Sequence, residues 1–160
     1  MCCQRFGICA WSRFFGHEEI LMNYARIGLA SLGAFVAYMA LGGLIFGAIP
    51  SLKDEFLKYP AVYRSQEGQM SHMPVGMVAM LLSIVVLAVL YAMTYKGGSG
   101  IAQGAIFGLL IGLFAIGSFV LHNYVNLNIG FKITAISAIA YLVEWMVVGI
   151  VIGLIYKPAH

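Results

Sequence analysis

Charged side chains are scarce in this sequence. Only 9% of its 160 residues are Asp, Glu, Lys or Arg, whereas a soluble domain carries about 25%. A soluble fold of this size needs a polar shell, and so few charges cannot supply one. The net charge of +3 is spread along the chain without a basic run, which argues against nucleic acid as a partner. The expected partner of most of this surface is therefore the lipid bilayer.

Cysteine and histidine are scarce as well. The three cysteines, Cys2, Cys3 and Cys9, lie close together at the start of the chain and lack the paired spacing of a zinc site. His72 and His122 have no carboxylate or cysteine at ligand spacing, so we expect them to be polar residues of the membrane interface. The sequence contains neither a phosphate-binding glycine loop nor a recognisable nucleophile–base arrangement. We therefore expect no metal, no cofactor and no catalytic residues.

Four apolar stretches dominate the chain, at about residues 28–49, 74–95, 101–122 and 133–156. Each is close to the roughly 20 residues that an α-helix needs to cross a hydrocarbon core of about 30 Å. Helices rather than strands are expected, because backbone groups in lipid must be satisfied within the segment. Pro74 suits the first turn of the second helix. The sequence predicts an all-α integral membrane protein, an antiparallel four-transmembrane-helix bundle within residues 22–160.

The connections between these stretches differ in length and composition. Residues 96–100 form a short glycine-rich turn, which predicts that helices two and three are an antiparallel pair, and residues 123–130 are rich in Asn. Residues 50–73 hold most of the mid-chain charge. Within them, residues 52–59 are interpreted either as a short amphipathic helix on the membrane surface or as a solvated loop.

An even number of crossings places both termini on the same side of the membrane. The cations on that side are Arg5, Arg13, Arg26, Lys96 and Lys157, and those on the other side are Lys53, Lys58, Arg64 and Lys132. Since positively charged loops tend to remain cytoplasmic, the small excess favours cytoplasmic termini in a bacterial inner membrane.

Residues 1–21 differ from the rest and lack the apolar core of a signal peptide. Glu18 and Glu19 precede Met22, and two glutamate codons can read GAGGAG, which has the form and spacing of a bacterial ribosome-binding site. We hypothesise that translation naturally starts at Met22 and that residues 1–21 are a spurious leader; the alternative is a genuine cytoplasmic arm. Without the leader, the orientation argument loses its basis.

Glycines recur at every fourth position in three of the stretches. Such a row lies along one side of a helix and allows a neighbouring backbone to approach closely. We therefore predict helix-packing contacts, within one chain or between subunits. The glycines in these rows are Gly100, directly before the third stretch, with Gly104, Gly108 and Gly112 within it, Gly43 and Gly47 in the first, and Gly149 and Gly153 in the fourth.

Glu144 is the only charged residue in the four stretches. A carboxyl group at this depth is costly, and it is by default a functional hypothesis. Tyr38 and Ser83 lie at about the same depth on helices one and two, and Ser137 precedes Glu144 by two turns, so these three hydroxyls are its expected neighbours. Three interpretations remain open: a neutral acid that ties helices together, a proton or substrate site, and a subunit contact.

Several short motifs carry a resemblance to a known family. They are Met22-Asn23-Tyr24 before a first helix with Phe35 and a glycine-rich end, a glycine-rich third helix, and Ala140-Tyr141-Leu142 followed by Val147-Val148-Gly149. Over about residues 22–157 the chain resembles the small four-helix bacterial membrane proteins grouped as DUF1761. This resemblance implies the four-helix fold and, because the family has no established activity, no particular function.

The leading functional interpretation is a non-enzymatic membrane protein that acts as a packing partner or accessory subunit through its glycine faces. It would belong to a homo-oligomer or a larger membrane complex. The alternative is a small transporter or channel component that uses Glu144 as an intramembrane proton or substrate site.

Overall fold

The computed structural model describes residues 23–156, so the hypothesis about the leader concerns residues outside the described part. Within residues 23–156 the chain is helical and contains no strand. The helices are α1 (Tyr24–Ala48), α2 (Pro50–Leu57), α3 (Gln66–Thr94), α4 (Gly100–Ala115), a π-helical segment (Ile116–Leu121), α5 (His122–Asn126) and α6 (Phe131–Ile155).

Four of the helical segments are long and apolar enough to cross a membrane. They are Tyr24–Ala48, Gln66–Thr94, the continuous run Gly100–Asn126, and Phe131–Ile155. Each contains most or all of one predicted apolar stretch. The short helix α2 covers most of the segment for which a surface helix and a loop were both considered, so the helical interpretation of that segment is confirmed.

The helix that contains the second apolar stretch begins earlier than predicted. α3 starts at Gln66, where the side chain of Ser65 accepts a hydrogen bond from Gly68 N at 3.2 Å. Pro74 therefore lies inside α3 and not in its first turn, so that prediction was wrong. Hydropathy marks the part of a helix that suits lipid, whereas a serine cap determines where the helix begins.

The third stretch contains a change of helix type that was not predicted. The π-helical segment Ile116–Leu121 lies between α4 and α5 without a break in the helix. Its hydrogen bonds span five residues rather than four, so side chains on either side of it are rotated relative to a continuous α-helix. Phe119, Val120 and Asn123, in and just after this segment, line the cavity described below.

The backbones of α4 and α6 approach closely along the glycine row of α4. A Cβ atom built on Gly104 would overlap the carbonyl oxygen of Gly149, and one on Gly100 would overlap that of Gly153. Farther along, Gly108 lies against Trp145 and Gly112 against Leu142, so residue numbers rise along α4 as they fall along α6. Only glycine permits such a short distance between the two helices, because any Cβ atom would overlap backbone atoms of the other helix.

α6 is the central helix, since α1 packs on another of its faces and α3 packs on α1. The core lies mainly in the half of the bundle where α1 begins and where α3 and α6 end. Its alanines are fully buried, which allows close helix contacts. The buried core residues are Ile27, Ala30, Ala34, Ile84, Ala88, Tyr91, Ala92, Trp145, Val148, Ile152 and Tyr156.

The predicted pairing of helices two and three along their length is not found. α3 and α4 meet near their connection, where Tyr91 lies against Gly100 and stacks edge-on with Phe107 at 5.4 Å between ring centroids. Gly97 and Gly98 both have positive φ, 84° and 97°, which lets the chain turn sharply. α4 packs on α6 instead, because the glycine rows of these two helices fit each other.

The glycines of α1 are placed differently from those of α4 and α6. Gly43 and Gly47 are exposed, and no atom lies within 4 Å of a Cβ built on either residue. Among the described residues they therefore contact no other helix of this chain. The spacing of glycines alone did not distinguish this row from the packed ones.

We expect Gly104→Ala to destabilise the protein in mild detergent, because the added methyl group would force α4 and α6 apart. Overpacking of this kind costs about 1–3 kcal/mol. Gly43→Ala is the matched control: it adds the same group at an exposed helical position, where alanine is favoured over glycine. Thermal unfolding followed by circular dichroism would measure both, and equal midpoints for the two variants would contradict the importance of the contact.

Candidate functional site

A cavity of about 360 Å³ lies between α1, α2, α6 and the π-helical segment. Pockets of this size accommodate small organic molecules, and a mainly apolar lining with a few polar groups is typical of them. The apolar and aromatic lining residues are Tyr38, Phe46, Leu52, Phe56, Tyr63, Phe119, Val120, Leu127, Ile129, Ile136, Ala140 and Tyr141. The other lining residues are Asn123, Thr134, Ser137 and Glu144.

Glu144 lines this cavity and directly precedes Trp145 of the packed core. Its side chain belongs to α6 and the residue is 7% exposed. The Tyr38 hydroxyl faces the carboxyl group closely enough to interact with it. A Cβ built on Gly42 would lie 3.6 Å from Glu144 Oε1, an ordinary contact distance, so the carboxyl group lies against α1 at this position.

Two of the predicted neighbours of Glu144 share the cavity with it, and the third does not. Tyr38 and Ser137 line the cavity together with Glu144. Ser83 is exposed and donates a hydrogen bond to Ala79 O of its own helix at 2.9 Å, so it is not a neighbour of Glu144 as expected. Ser83 lies on an exposed face of α3 and not on a face that packs against another helix.

Helix α2 covers one side of the cavity and is held by polar contacts. Leu52 and Phe56 face the cavity. Glu55, 5% exposed, accepts ion-paired hydrogen bonds at Oε2 from Lys58 Nζ at 2.8 Å and Lys132 Nζ at 3.0 Å. Just beyond α2, the Tyr59 hydroxyl accepts a hydrogen bond from Gly130 N at 3.0 Å. These contacts attach α2 to the beginning of α6.

Aromatic rings pack against one another around the cavity. Phe56 lies 5.7 Å from Phe46 and 5.0 Å from Tyr63, measured between ring centroids. On another wall, Phe119 lies 5.8 Å from Tyr141. Contacts of this type add to the stability gained from burial, and they fix the shape of the cavity walls.

Sequence reasoning missed several residues of this site. Glu55 and Lys132 are far apart in the chain and carry no local motif, and Phe119 lines the cavity from a π-helical segment that was not predicted. The amphipathic pattern of α2 was the one available signal, since it places Leu52 and Phe56 on one face. His72 and His122 are exposed and outside the cavity lining. Among residues 23–156 no group of three or more metal-ligating side chains is present.

These observations define a small all-helical protein, compatible with a multi-pass membrane protein, that encloses a cavity containing a buried carboxyl group. Residues 29–153, more than three quarters of the chain, match the family described as "Protein of unknown function (DUF1761)". The chain belongs to this family, which confirms the resemblance noted from the sequence. No curated protein and no solved structure gives a significant match.

The contacts of Glu55 predict how the attachment of α2 depends on pH. The ammonium groups of Lys58 and Lys132 hold the pKa of Glu55 below its usual value, because each donates a hydrogen bond to the carboxylate. A lowered pKa means that the folded state favours the charged form. The contribution of these bonds is therefore complete above the ordinary glutamate pKa of about 4.3 and is lost as pH falls through the lowered value.

We expect Glu55→Gln to increase hydrogen exchange of the α2 backbone amides several-fold at neutral pH, because neutral glutamine cannot pair with two lysines. Mass spectrometry of exchanged peptides would measure this. Asp54→Asn is the matched control, since Asp54 is the exposed acidic neighbour on the same helix. The difference between wild type and Glu55→Gln should narrow as pH falls through the lowered pKa of Glu55. A pH-independent difference would contradict the proposed cause.

Proposed function

We propose that this protein spans a bacterial inner membrane four times, with both termini in the cytoplasm. Four helices of sufficient length and apolar character support the crossings. The outward surface supports lipid contact, because large apolar side chains such as Val125 (81% exposed) and Val75 (72%) project from it, and continuous patches of this kind are not solvated in water. In this orientation, α2 and the cavity mouth lie on the side opposite the cytoplasm.

We further propose that the protein binds a small, mainly apolar molecule in the cavity, as a small transporter or channel component. The observation that carries this proposal is Glu144, a buried carboxyl group that lines a mainly apolar cavity large enough for such a molecule. A carboxyl group in an apolar setting is costly unless it serves a purpose. The ligand would reach it beside α2, whose polar attachment to α6 involves only a few contacts.

The proposed role is binding or passage rather than catalysis. Glu144 is the one carboxylate among the lining residues, which otherwise contribute hydroxyl groups, an amide and apolar side chains. This set can recognise a polar group on a ligand. It does not pair a nucleophile with a base, as covalent catalysis requires.

A second candidate function is the accessory-subunit role, and one observation favours it. Gly43 and Gly47 form a glycine row on the exposed face of α1 that no helix among the described residues occupies. A helix of another protein, or of a second copy of this chain, would fit such a row. The glycines of α4 and α6 support this role less, because they face each other within the chain.

We expect Ala140→Phe to weaken binding of a neutral apolar dye, N-phenyl-1-naphthylamine, by about tenfold or more, since the added ring would occupy the cavity. Energy transfer from Trp145 to the dye measures binding in a Trp11→Phe background, which leaves one tryptophan. Ile139→Phe is the control, because residue 139 is 66% exposed on the same helix. Equal dye binding by the two variants would contradict a ligand cavity.

If the accessory-subunit role is correct, Gly43→Leu should disrupt a complex that survives in mild detergent, because the larger side chain would separate the two helices. Native mass spectrometry of the purified protein measures the assembly. Gly28→Leu is the control, since Gly28 is also exposed on α1 and has no glycine one turn later. A wild-type protein that is monomeric and purifies without a partner would exclude this candidate.

A further inference from the structure

Glu144 has no positively charged neighbour among the described residues. The cavity lining contains neither lysine nor arginine nor histidine. Lys58 and Lys132 pair with Glu55 instead, and the interaction that Glu144 makes is with the neutral hydroxyl of Tyr38. A buried carboxylate requires a counter-charge or must become neutral. The cavity thus holds a potential negative charge whose partner is not supplied by residues 23–156.

The walls around this carboxyl group are suited to a positive charge. Tyr38 and Tyr141 line the cavity near Glu144, and Phe119 packs against Tyr141. The faces of aromatic rings carry negative electrostatic potential and attract ammonium groups, most strongly where water is excluded. An anion would be repelled both by these faces and by the carboxylate.

We propose that the ligand of this cavity is an organic cation with one ammonium centre on an apolar body. This inference rests on the proposed ligand-binding function and specifies its substrate class. The ammonium group pairs with Glu144 between the tyrosine rings, and the apolar body lies against Phe119, Phe56 and Ile136 in a cavity of about 360 Å³.

The alternatives for the positive partner fit the cavity less well. A hard inorganic cation such as Mg²⁺ or Ca²⁺ requires about six or more oxygen ligands at short distance, whereas most of this lining is carbon. A neutral apolar molecule would fill the cavity, but the carboxyl group would then have to be protonated and its charge would contribute nothing to binding. An organic cation satisfies the carboxylate and the apolar walls together.

The test uses the Trp11→Phe chain in nanodiscs of zwitterionic phosphatidylcholine, so that the lipid does not itself concentrate cations. Benzyltrimethylammonium competes with bound N-phenyl-1-naphthylamine, and the competition is followed by energy transfer from Trp145. Neopentylbenzene is the neutral comparison, because it has the shape of benzyltrimethylammonium with a carbon atom in place of the charged nitrogen. We expect Glu144→Gln to lower the affinity for benzyltrimethylammonium at least tenfold and to change the affinity for neopentylbenzene less than twofold. Ile139→Phe should change neither affinity.

A second pair of variants covers the case in which Glu144→Gln does not fold. Ala140→Lys places an ammonium group one turn from Glu144, whereas Ala140→Met fills a similar volume without charge. We expect the lysine variant to lower the affinity for benzyltrimethylammonium at least tenfold more than the methionine variant does. The two variants should affect the affinity for neopentylbenzene equally.

The outcomes separate this inference from the function on which it rests. Displacement of the dye by neopentylbenzene but not by benzyltrimethylammonium would overturn the cation proposal and leave the ligand cavity in place. The same conclusion would follow if Glu144→Gln left the ammonium affinity unchanged, or if the lysine and methionine variants weakened it equally. If Ala140→Phe does not alter dye binding, the result would instead contradict the proposed ligand-binding function itself.

Discussion

The close contact between the backbones of α4 and α6 is the constraint on which the rest of the bundle depends. Where Gly100 faces Gly153 and Gly104 faces Gly149, no Cβ atom separates the two helices. Helices that approach this closely gain van der Waals contact along their whole shared length, and this is the main favourable term for helix association when the surroundings are as apolar as the helices. α6 then has another face available, and α1 occupies it.

The small side chains that allow close packing are not distributed evenly along the bundle. Buried alanines of α1 and α3 lie in the half of the bundle where α1 begins and α6 ends, together with Val148 and Ile152 of α6. In the other half the facing residues are large and aromatic, and the helices enclose a cavity. Tyr38 and Trp145, with ring centroids 5.9 Å apart, lie at the boundary between the two halves. Glu144 is thus placed next to a rigid core and faces an open space.

The two buried glutamates illustrate opposite solutions to the same problem. Glu55 is satisfied within the chain, because Lys58 and Lys132 both donate hydrogen bonds to it, and the result is mechanical: α2 is attached to α6. Glu144 lies beside a tyrosine hydroxyl, which carries no charge. Without a cationic partner among the described residues, the carboxyl group of Glu144 is available to a ligand that enters the cavity. This difference between Glu55 and Glu144 underlies the functional proposals.

The amino-acid sequence alone determined the helical class, the four segments long enough to cross a membrane, the family and the unusual position of Glu144. Each of these follows from local composition: long runs without charge, glycine spacing and one acidic residue in an apolar run. Which helix faces which was decided only by the tertiary structure. In a helix that is apolar on all sides, hydropathy contains no information about rotation, so Ser83 and Tyr38 looked equally suitable as neighbours of Glu144. The same reason explains why the packed glycines of α4 could not be distinguished from the exposed Gly43 and Gly47. The pairing of Glu55 with Lys132 had no signal for a different reason, because the two residues are distant in the sequence and only the fold brings them together.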